Sequence, residues 1–151
     1  MIRKIRGFSL LELLIVVAII LIIATIAIPN LIRSRQAANE AAAVSTLKAI
    51  NTAQVAYLST SGGNFGALGD LVTAGLLDSR FLGPAISGYA FAAAASGAEY
   101  TATANPTSAN SGRFGYFSWS DAVVRYSTAT SGCGGPGGNC FPHGMSGQPV
   151  Q

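Results

Sequence analysis

The apolar residues of this chain are concentrated near its amino terminus. From Leu13 to Ile28, sixteen consecutive residues carry no charge, and Thr25 is the only polar side chain among them. Extended back to Phe8, the run is 21 residues long, or about 31 Å of helix at 1.5 Å per residue. This length matches the hydrocarbon core of a bilayer, so the pattern predicts a membrane-spanning helix.

After Pro29 the pattern becomes that of an amphipathic helix. Apolar side chains recur at three- and four-residue spacing, at Ala37, Ala41, Val44, Leu47, Ile50, Ala53 and Tyr57. The charged residues Arg33, Arg35, Glu40 and Lys48 are expected to lie largely off this stripe. We interpret the stripe as the face that packs against a head domain.

One continuous helix is therefore predicted from about residue 8 to about residue 60, because no glycine or proline occurs between residues 31 and 61. Such a helix is about 80 Å long. Pro29 is expected to bend it, since its ring removes a backbone donor and clashes with the preceding turn. Gly62 and Gly63 supply the signal that ends the helix.

Downstream of the helix the period of the pattern changes. Residues 65–77 suggest a short helix or packed loop, and short β-type runs follow at residues 89–92, 99–104, 115–119 and 123–127. We predict an antiparallel meander of three or four strands. The fold class is then α+β, with a long amino-terminal helix, half of it transmembrane, packed on a small antiparallel β-sheet head.

The aromatic residues of these runs are candidates either for a ligand-binding platform or for ordinary packing. They are Tyr89, Phe91, Tyr116, Phe117 and Trp119. Aromatic side chains at alternating positions of short strands usually supply core area. We therefore expect them to pack within the sheet and the core.

The formal net charge of +3 is carried entirely by the first seven residues, which contain Arg3, Lys4 and Arg6. Six bases and six acids follow, so the side-chain charge of the rest is zero. A basic protein often binds nucleic acid, but no basic stripe remains outside this segment, and nucleic acid is not indicated. By the positive-inside rule, the charges instead favour a single-pass helix with a cytoplasmic amino terminus.

Two ordinary interpretations of the apolar segment are a conventional signal peptide, cut near residues 24–27, and a plain membrane anchor. Neither accounts for Glu12, which lies inside any spanning helix. A carboxylate there costs up to about 2.5–3.5 kcal/mol on insertion scales, and less near the helix end. An ionisable residue within a membrane helix indicates a function.

A third interpretation rests on the residues that precede the apolar run. Residues 7–12, Gly-Phe-Ser-Leu-Leu-Glu, resemble the class III signal of type IV pilins and type II secretion pseudopilins. The resemblance implies that a prepilin peptidase cuts between Gly7 and Phe8 on the cytoplasmic side and methylates the new amino group of Phe8. Pro29 also lies at the place usual in that family, just past the spanning segment.

Under this interpretation Glu12 is the fifth residue of the mature chain, and the amino group of a neighbouring subunit becomes its partner. Two opposite charges in a bundle of low dielectric constant offset each other's desolvation cost, whereas either alone is heavily penalised. We therefore interpret Glu12 as a register device for assembly with identical or related pilin subunits into a helical homopolymer. The alternative is that Glu12 merely lies at the level of the lipid headgroups.

The chain is expected to divide into four segments. Residues 1–7 form the cleaved basic leader, residues 8–29 the transmembrane and polymerisation helix, and residues 30–60 an amphipathic helix that continues into the head. Residues 61–151 hold the connecting loop, the β-sheet head and a carboxy-terminal loop closed by a disulfide.

The disulfide is expected between Cys133 and Cys140, which flank six residues, four of them glycine. Paired cysteines in an exported protein favour a disulfide, and two free thiols are the alternative. Neither cysteine belongs to a CxxC pair and His143 is the only histidine, so no metal site is expected.

Three functions fit this architecture: a pilus filament subunit, a type II secretion pseudopilin, and a minor or DNA-uptake pilin. Major pseudopilins usually end in an acidic calcium-binding loop, and this chain has no acidic residue after Asp121, which favours a pilin. The resemblance further implies a bacterial inner-membrane location before assembly and the cell surface afterwards. The implied partners are the prepilin peptidase, an inner-membrane assembly platform, and membrane lipid before assembly.

An enzyme is not predicted. The sequence contains no nucleophile elbow, no phosphate-binding glycine loop, and no cluster of carboxylates with a histidine. We therefore assign no catalytic residue and no cofactor.

Overall fold

The structure is a computed structural model that describes residues 8–128 and 148–150. Helix α1 spans Leu10–Thr60, helix α2 spans Leu68–Thr73, and a 3₁₀ helix spans Ser79–Leu82. The strands are β1 (Tyr89–Ser96), β2 (Glu99–Pro106), β3 (Phe114–Trp119), β4 (Arg125–Thr128) and β5 (Gln148–Pro149). The predicted α+β fold class is confirmed.

The single long helix predicted from the pattern is present as α1, and Pro29 lies inside it. The helix ends where the two glycines were expected to end it. Gly62 and Gly63 have φ values of 72° and 91°, a left-handed conformation that glycine adopts without a steric penalty. The N–H of Gly63 donates to the carbonyl of Leu58 at 3.2 Å, which caps the last turn.

The chain divides into two compact units, the first ending at Ser34 and the second beginning at Arg35. Helix α1 contributes to both. In the first unit it is the main described element, whereas in the second its residues pack on the sheet and the connecting helices.

The sheet of the second unit is an antiparallel meander in which every strand pairs with the next one along the chain, in the order β1-β2-β3-β4-β5. Strands β1 and β2 meet at a two-residue turn, with Ser96 opposite Glu99 and Gly97 at a φ of 61°. A positive φ at this position matches the twist of a tight hairpin. The predicted meander is confirmed, and β5 adds a fifth strand of two residues, too short to leave an alternating pattern in the sequence.

The core lies between α1 and the sheet. Leu47 and Ile50 of α1 are fully buried, as are Ala102 and Ala104 of β2. Their contact is the ordinary burial of an amphipathic helix against the apolar face of a sheet. The aromatic residues expected to pack in the core do so: Tyr89, Phe91, Tyr116 and Phe117 are buried, and Trp119 is half-buried.

The predicted apolar stripe of α1 is correct from Leu47 onward but wrong at its start. Ala37 and Ala41 are exposed, whereas Ala43 and Glu40 are buried. The expectation that Glu40 lies off the buried face is therefore wrong. A carboxylate can occupy this position because Arg113 of the loop between β2 and β3 pairs with it, which the helical period alone does not reveal.

Candidate membrane and assembly segment

The first unit exposes its apolar side chains on every face of α1. Each leucine, isoleucine and valine between Leu10 and Ile32 is at least 39% exposed. A helix that is apolar all round is stable only in a membrane or within a bundle of other apolar helices. By length and composition α1 can cross a membrane.

Thr25 and Pro29 interrupt the uniformity of this segment near its carboxyl end. The hydroxyl of Thr25 donates to the carbonyl of Ile22 at 2.8 Å, so its polar group is satisfied within the helix. Pro29 has no N–H, which removes the donor that would normally bond the carbonyl of Thr25. Both features lie near the carboxyl end of the apolar segment, where a bilayer tolerates polar backbone more readily than at its centre.

Phe8 and Glu12 lie at the opposite end of the segment. Phe8 precedes the helix and is 75% exposed. Glu12 is in the first turn of α1, where the helix dipole favours a negative charge. Its carboxylate has no hydrogen-bond or ion-pair partner among the residues that the structure describes. A charge in this position requires a partner once water is removed.

The remaining predicted site residues are Gly7, Cys133 and Cys140, and all three lie outside the described residues. The structure thus brings Phe8 and Glu12 to one end of the apolar helix and Pro29 to the other. The cleavage site and the disulfide remain predictions.

Side chains of α1 hold the loop between β2 and β3 where the second unit begins. Gln36 Nε2 donates to the carbonyl of Ala109 at 2.8 Å, and Asn39 Nδ2 donates to the carbonyl of Ser111 at 2.9 Å. The loop therefore satisfies two of its backbone acceptors on the helix.

Glu40 provides the strongest of these contacts. Its Oε1 accepts from the backbone N–H of Arg113 at 2.8 Å and from Nε at 3.2 Å, while its Oε2 accepts from Nη2 at 3.0 Å. The guanidinium also lies over the ring of Phe114, 5.1 Å from its centroid. The bond to Glu40 raises the pKa of Arg113 above its already high value. The only sequence signal for this pair was an isolated carboxylate in an alanine-rich stretch of helix.

A buried amide joins α1 to two strands and a turn. Asn51 Oδ1 accepts from the hydroxyl of Tyr100 at 3.0 Å and from that of Ser118 at 2.5 Å, and its Nδ2 donates to the carbonyl of Ala122 at 3.0 Å. Because every polar atom of the side chain is bonded, its burial is tolerated and fixes the rotation of α1 on the sheet.

A second buried amide fixes the loop that follows α1. Gln54 Nε2 donates to the carbonyl of Gly66 at 2.6 Å, and its Oε1 accepts from the N–H of the same residue at 3.1 Å. A Cβ atom on Gly66 would lie 2.9 Å from the ring of Tyr57. Only glycine therefore lets the loop approach closely enough for both bonds.

Three buried tyrosines have pKa values above the usual value of a tyrosine hydroxyl. Burial raises the pKa of Tyr89, whose hydroxyl donates to the carbonyl of Phe114 at 2.9 Å. Burial, assisted by the charge of Glu40, raises the pKa of Tyr116 to about 12. Burial also raises the pKa of Tyr100. All three are therefore neutral at physiological pH, and the hydroxyls of Tyr89 and Tyr100 donate hydrogen bonds.

On the surface of the head, Arg125 joins two neighbouring side chains. Its Nη2 lies 2.6 Å from Oδ2 of Asp121, and its guanidinium lies over the ring of Trp119, 5.0 Å from the centroid. Burial raises the pKa of Asp121, but hydrogen bonds from Arg125 and from the N–H of Val123 outweigh it, so the pKa is lowered overall.

These contacts hold α1, the loops and the sheet together, and none of them assembles a reactive centre. Across residues 8–128 and 148–150, no group of three or more His, Cys, Asp or Glu side chains could hold a metal ion. The chemistry that the structure presents is that of an unpaired carboxylate at the end of an exposed apolar helix.

Comparison with known proteins points to that same region. A family model described as the prokaryotic N-terminal methylation motif matches residues 2–28. Over 54 residues the chain is 52% identical to the type IV major pilin protein PilA of Myxococcus xanthus, and over 38 residues it is 55% identical to the type IV wide pilus major component PilA4 of Thermus thermophilus.

The similarity covers a limited part of each protein. The alignments span 36% and 25% of this chain, and 24% and 29% of the lengths of the two relatives. No solved structure matches the chain. Residues 2–28 therefore carry the prokaryotic N-terminal methylation motif, and stretches of 54 and 38 residues of the chain are homologous to type IV major pilins.

Proposed function

We propose that this chain is a structural subunit of a type IV pilus. One observation carries the proposal: the methylation motif of residues 2–28 coincides with a helix whose apolar side chains are exposed on every face. A chain with the methylation motif but without such a helix would lack the apolar surface through which subunits assemble. Such a helix without the motif would equally suit an anchor.

The proposed first step is maturation by a prepilin peptidase. Cleavage after Gly7 removes all of the excess positive charge and makes Phe8 the amino terminus, which the enzyme then methylates. Support comes from the extent of the matched motif, which includes both residues. Before assembly, the subunit lies in the bacterial inner membrane with its amino terminus in the cytoplasm, as the basic leader favours.

Assembly then transfers the apolar segment from lipid into a bundle of equivalent helices. This exchange leaves the segment in apolar surroundings throughout, so the uniform exposure of its leucines and isoleucines suits both states. Glu12 supplies register, because in the bundle its carboxylate is stable only near the amino group of a neighbouring Phe8. An inner-membrane platform would drive this transfer, and the product would be a helical homopolymer on the cell surface.

The head is proposed to be a structural module and not an enzyme. Its buried polar groups are occupied in bonds that join α1 to the loops and the sheet. The relatives carry the names of a major pilin and a pilus component, and this supports the same role here.

Quantitative mass spectrometry of filaments sheared from the cell surface tests the proposal. We expect this chain to be the most abundant protein in the filaments and to disappear from them when its gene is deleted. Filaments that persist without it, with this chain only a trace component, would indicate a minor or DNA-uptake pilin. Absence from the filaments together with a defect in protein secretion would indicate a pseudopilin.

A further inference from the structure

Seven of the ten Asp, Glu, Lys and Arg side chains of the second unit are engaged within it. Glu40 pairs with Arg113, and Asp121 pairs with Arg125. The other engaged groups are Asp70 and Asp78, which accept backbone N–H groups, and Arg80, which lies over the ring of Phe81.

Lys48 and Glu99 are exceptions. Both are exposed, and neither has a hydrogen-bond or ion-pair partner for its charge among the described residues. Arg35 is likewise unpaired and exposed. Among the described residues, each copy therefore offers one free acid, Glu99, and two free bases, Arg35 and Lys48, from this unit to its surroundings.

Lys48 borders an apolar groove beside α1. The groove has a volume of about 440 Å³ and is lined by Ala37, Glu40, Ala41, Val44, Ser45, Lys48, Tyr116 and Val150. Small side chains form the helical wall, and the carboxylate of Glu40 is already taken by Arg113. Of the described residues that line the groove, Lys48 therefore carries the one uncompensated charge.

Glu99 lies at the tip of the β1–β2 hairpin. The tip consists of Ser96, Gly97, Ala98 and Glu99, all exposed, and its two-residue turn makes it narrow. Apart from Glu99 it carries only small side chains. A tip of this shape can enter a shallow groove without displacing bulky residues.

The hairpin and the groove are different surfaces of the second unit. The hairpin joins the edge strand β1 to β2, whereas the groove is lined by α1, by Tyr116 of the central strand β3 and by Val150, which follows β5. Two different surfaces of one subunit produce head-to-tail contacts, which generate helical filaments when the rotation does not close.

We propose that the β1–β2 hairpin tip of one copy docks into the groove of the next copy, with Glu99 facing Lys48. The occupant is a second copy because one chain carries the two opposite charges of the pair on two different surfaces. This inference rests on the proposed function and adds to it a contact between heads, separate from the contacts of the apolar helices.

Charge reversal and charge exchange test the contact. We expect Lys48→Glu and Glu99→Lys each to reduce the yield of sheared filaments by roughly three- to tenfold, because each places like charges opposite one another. The double variant restores the pair with its signs exchanged and should return the yield to within about twofold of the original. Single variants without effect, or a double variant no better than the worse single, would overturn the proposal.

A matched control uses the other free base. Arg35→Glu combined with Glu99→Lys has the same net charge as the rescuing pair, and we expect it to restore nothing. Equal rescue by this control would mean that net charge, and not the docking of the two surfaces, sets the yield.

A photo-crosslinking residue at Ala41 identifies the occupant directly. Crosslinks to residues 96–99 of a second copy support the proposal, and crosslinks within one copy to residues 129–151 contradict it. The crosslink is read in membranes as well as in filaments. Crosslinked dimers in the membranes of cells in which this chain forms no filaments would support the contact, even though the proposed pilus function would then be wrong.

Discussion

The two ends of α1 obey opposite rules. Before Ser34, leucines and isoleucines are exposed on every face and polar side chains are nearly absent. After Arg35, the same helix buries one narrow face, and buried polar side chains such as Asn51 are fully bonded. The two halves of the helix therefore suit different surroundings. The second half packs on the sheet of its own chain, whereas the first half needs a membrane or other apolar helices around it.

The comparison teaches where specificity resides in each half. In the apolar half most apolar side chains would suit a membrane or a helical bundle equally well. The charge of Glu12 is therefore what sets the register of this half relative to neighbouring subunits. In the head, position is set by many buried contacts of fixed geometry.

The largest effect is expected from Glu12→Ala. Breaking a buried ion pair costs about 3–5 kcal/mol, so filament yield should fall by about two orders of magnitude or more. The stability of the head should not change, because Glu12 belongs to the first unit. Sheared filament yield and the urea unfolding of the full chain in detergent, followed by the fluorescence of Trp119, measure the two outcomes. Assembly at the original level would remove the register role of Glu12.

A matched pair of isoleucine substitutions compares the two halves directly. Ile50→Ala should destabilise the head by about 2–5 kcal/mol, because it leaves a cavity in a fully buried site. Ile20→Ala, the same change on the exposed segment, should leave the urea midpoint of the head unaltered. If both variants shifted the midpoint equally, the two halves would not be independent in stability.

Glu40→Ala tests the polar contact that joins α1 to the β2–β3 loop. The N–H of Arg113 would lose its partly buried hydrogen bond to a charged acceptor, at a cost of about 1–3 kcal/mol. The guanidinium is half exposed and adds little. Glu99→Gln, a change at an exposed and unpaired acid, serves as the control and should stay within about 0.5 kcal/mol. If Glu40→Ala left the free energy of unfolding unchanged, the loop would be held by packing alone.

The smallest effect, and the most diagnostic of burial, is expected from alkaline pH. The folded-state pKa values of Tyr89, Tyr100 and Tyr116 lie above those of the unfolded chain, and that of Tyr116 is about 12. Groups shifted in this direction stabilise the fold fully below about pH 10 and lose that contribution as the pH rises toward the folded value. Urea midpoints measured across this range should therefore fall. A constant midpoint would contradict the burial of these hydroxyls.

The elements that the sequence predicted correctly are those with a local period or a local break. The long helix follows from its unbroken spacing, its end from Gly62 and Gly63, and the meander from short alternating runs. Each signal lies within a few residues of the structure that it specifies. Residues 7–12 likewise carried the resemblance that the comparisons then supported.

What the sequence could not predict depends on partners far along the chain. Glu40 and Arg113 are separated by 73 positions, and only the sheet brings them together. The predicted stripe began with Ala37 and Ala41, whereas the buried face begins with Glu40 and Ala43. Strand β5 was missed because two residues carry no period, and its pairing depends on β4.

The central claim is that the amino-terminal segment combines a removable leader with an assembly helix, and the mass of the amino-terminal peptide tests it most directly. Peptides from sheared filaments should begin at Phe8 and carry one additional methyl group on its nitrogen. Peptides that begin at Met1 would identify a plain anchor, and peptides that begin after residues 24–27 would identify a conventional signal peptide. Either result would contradict the account.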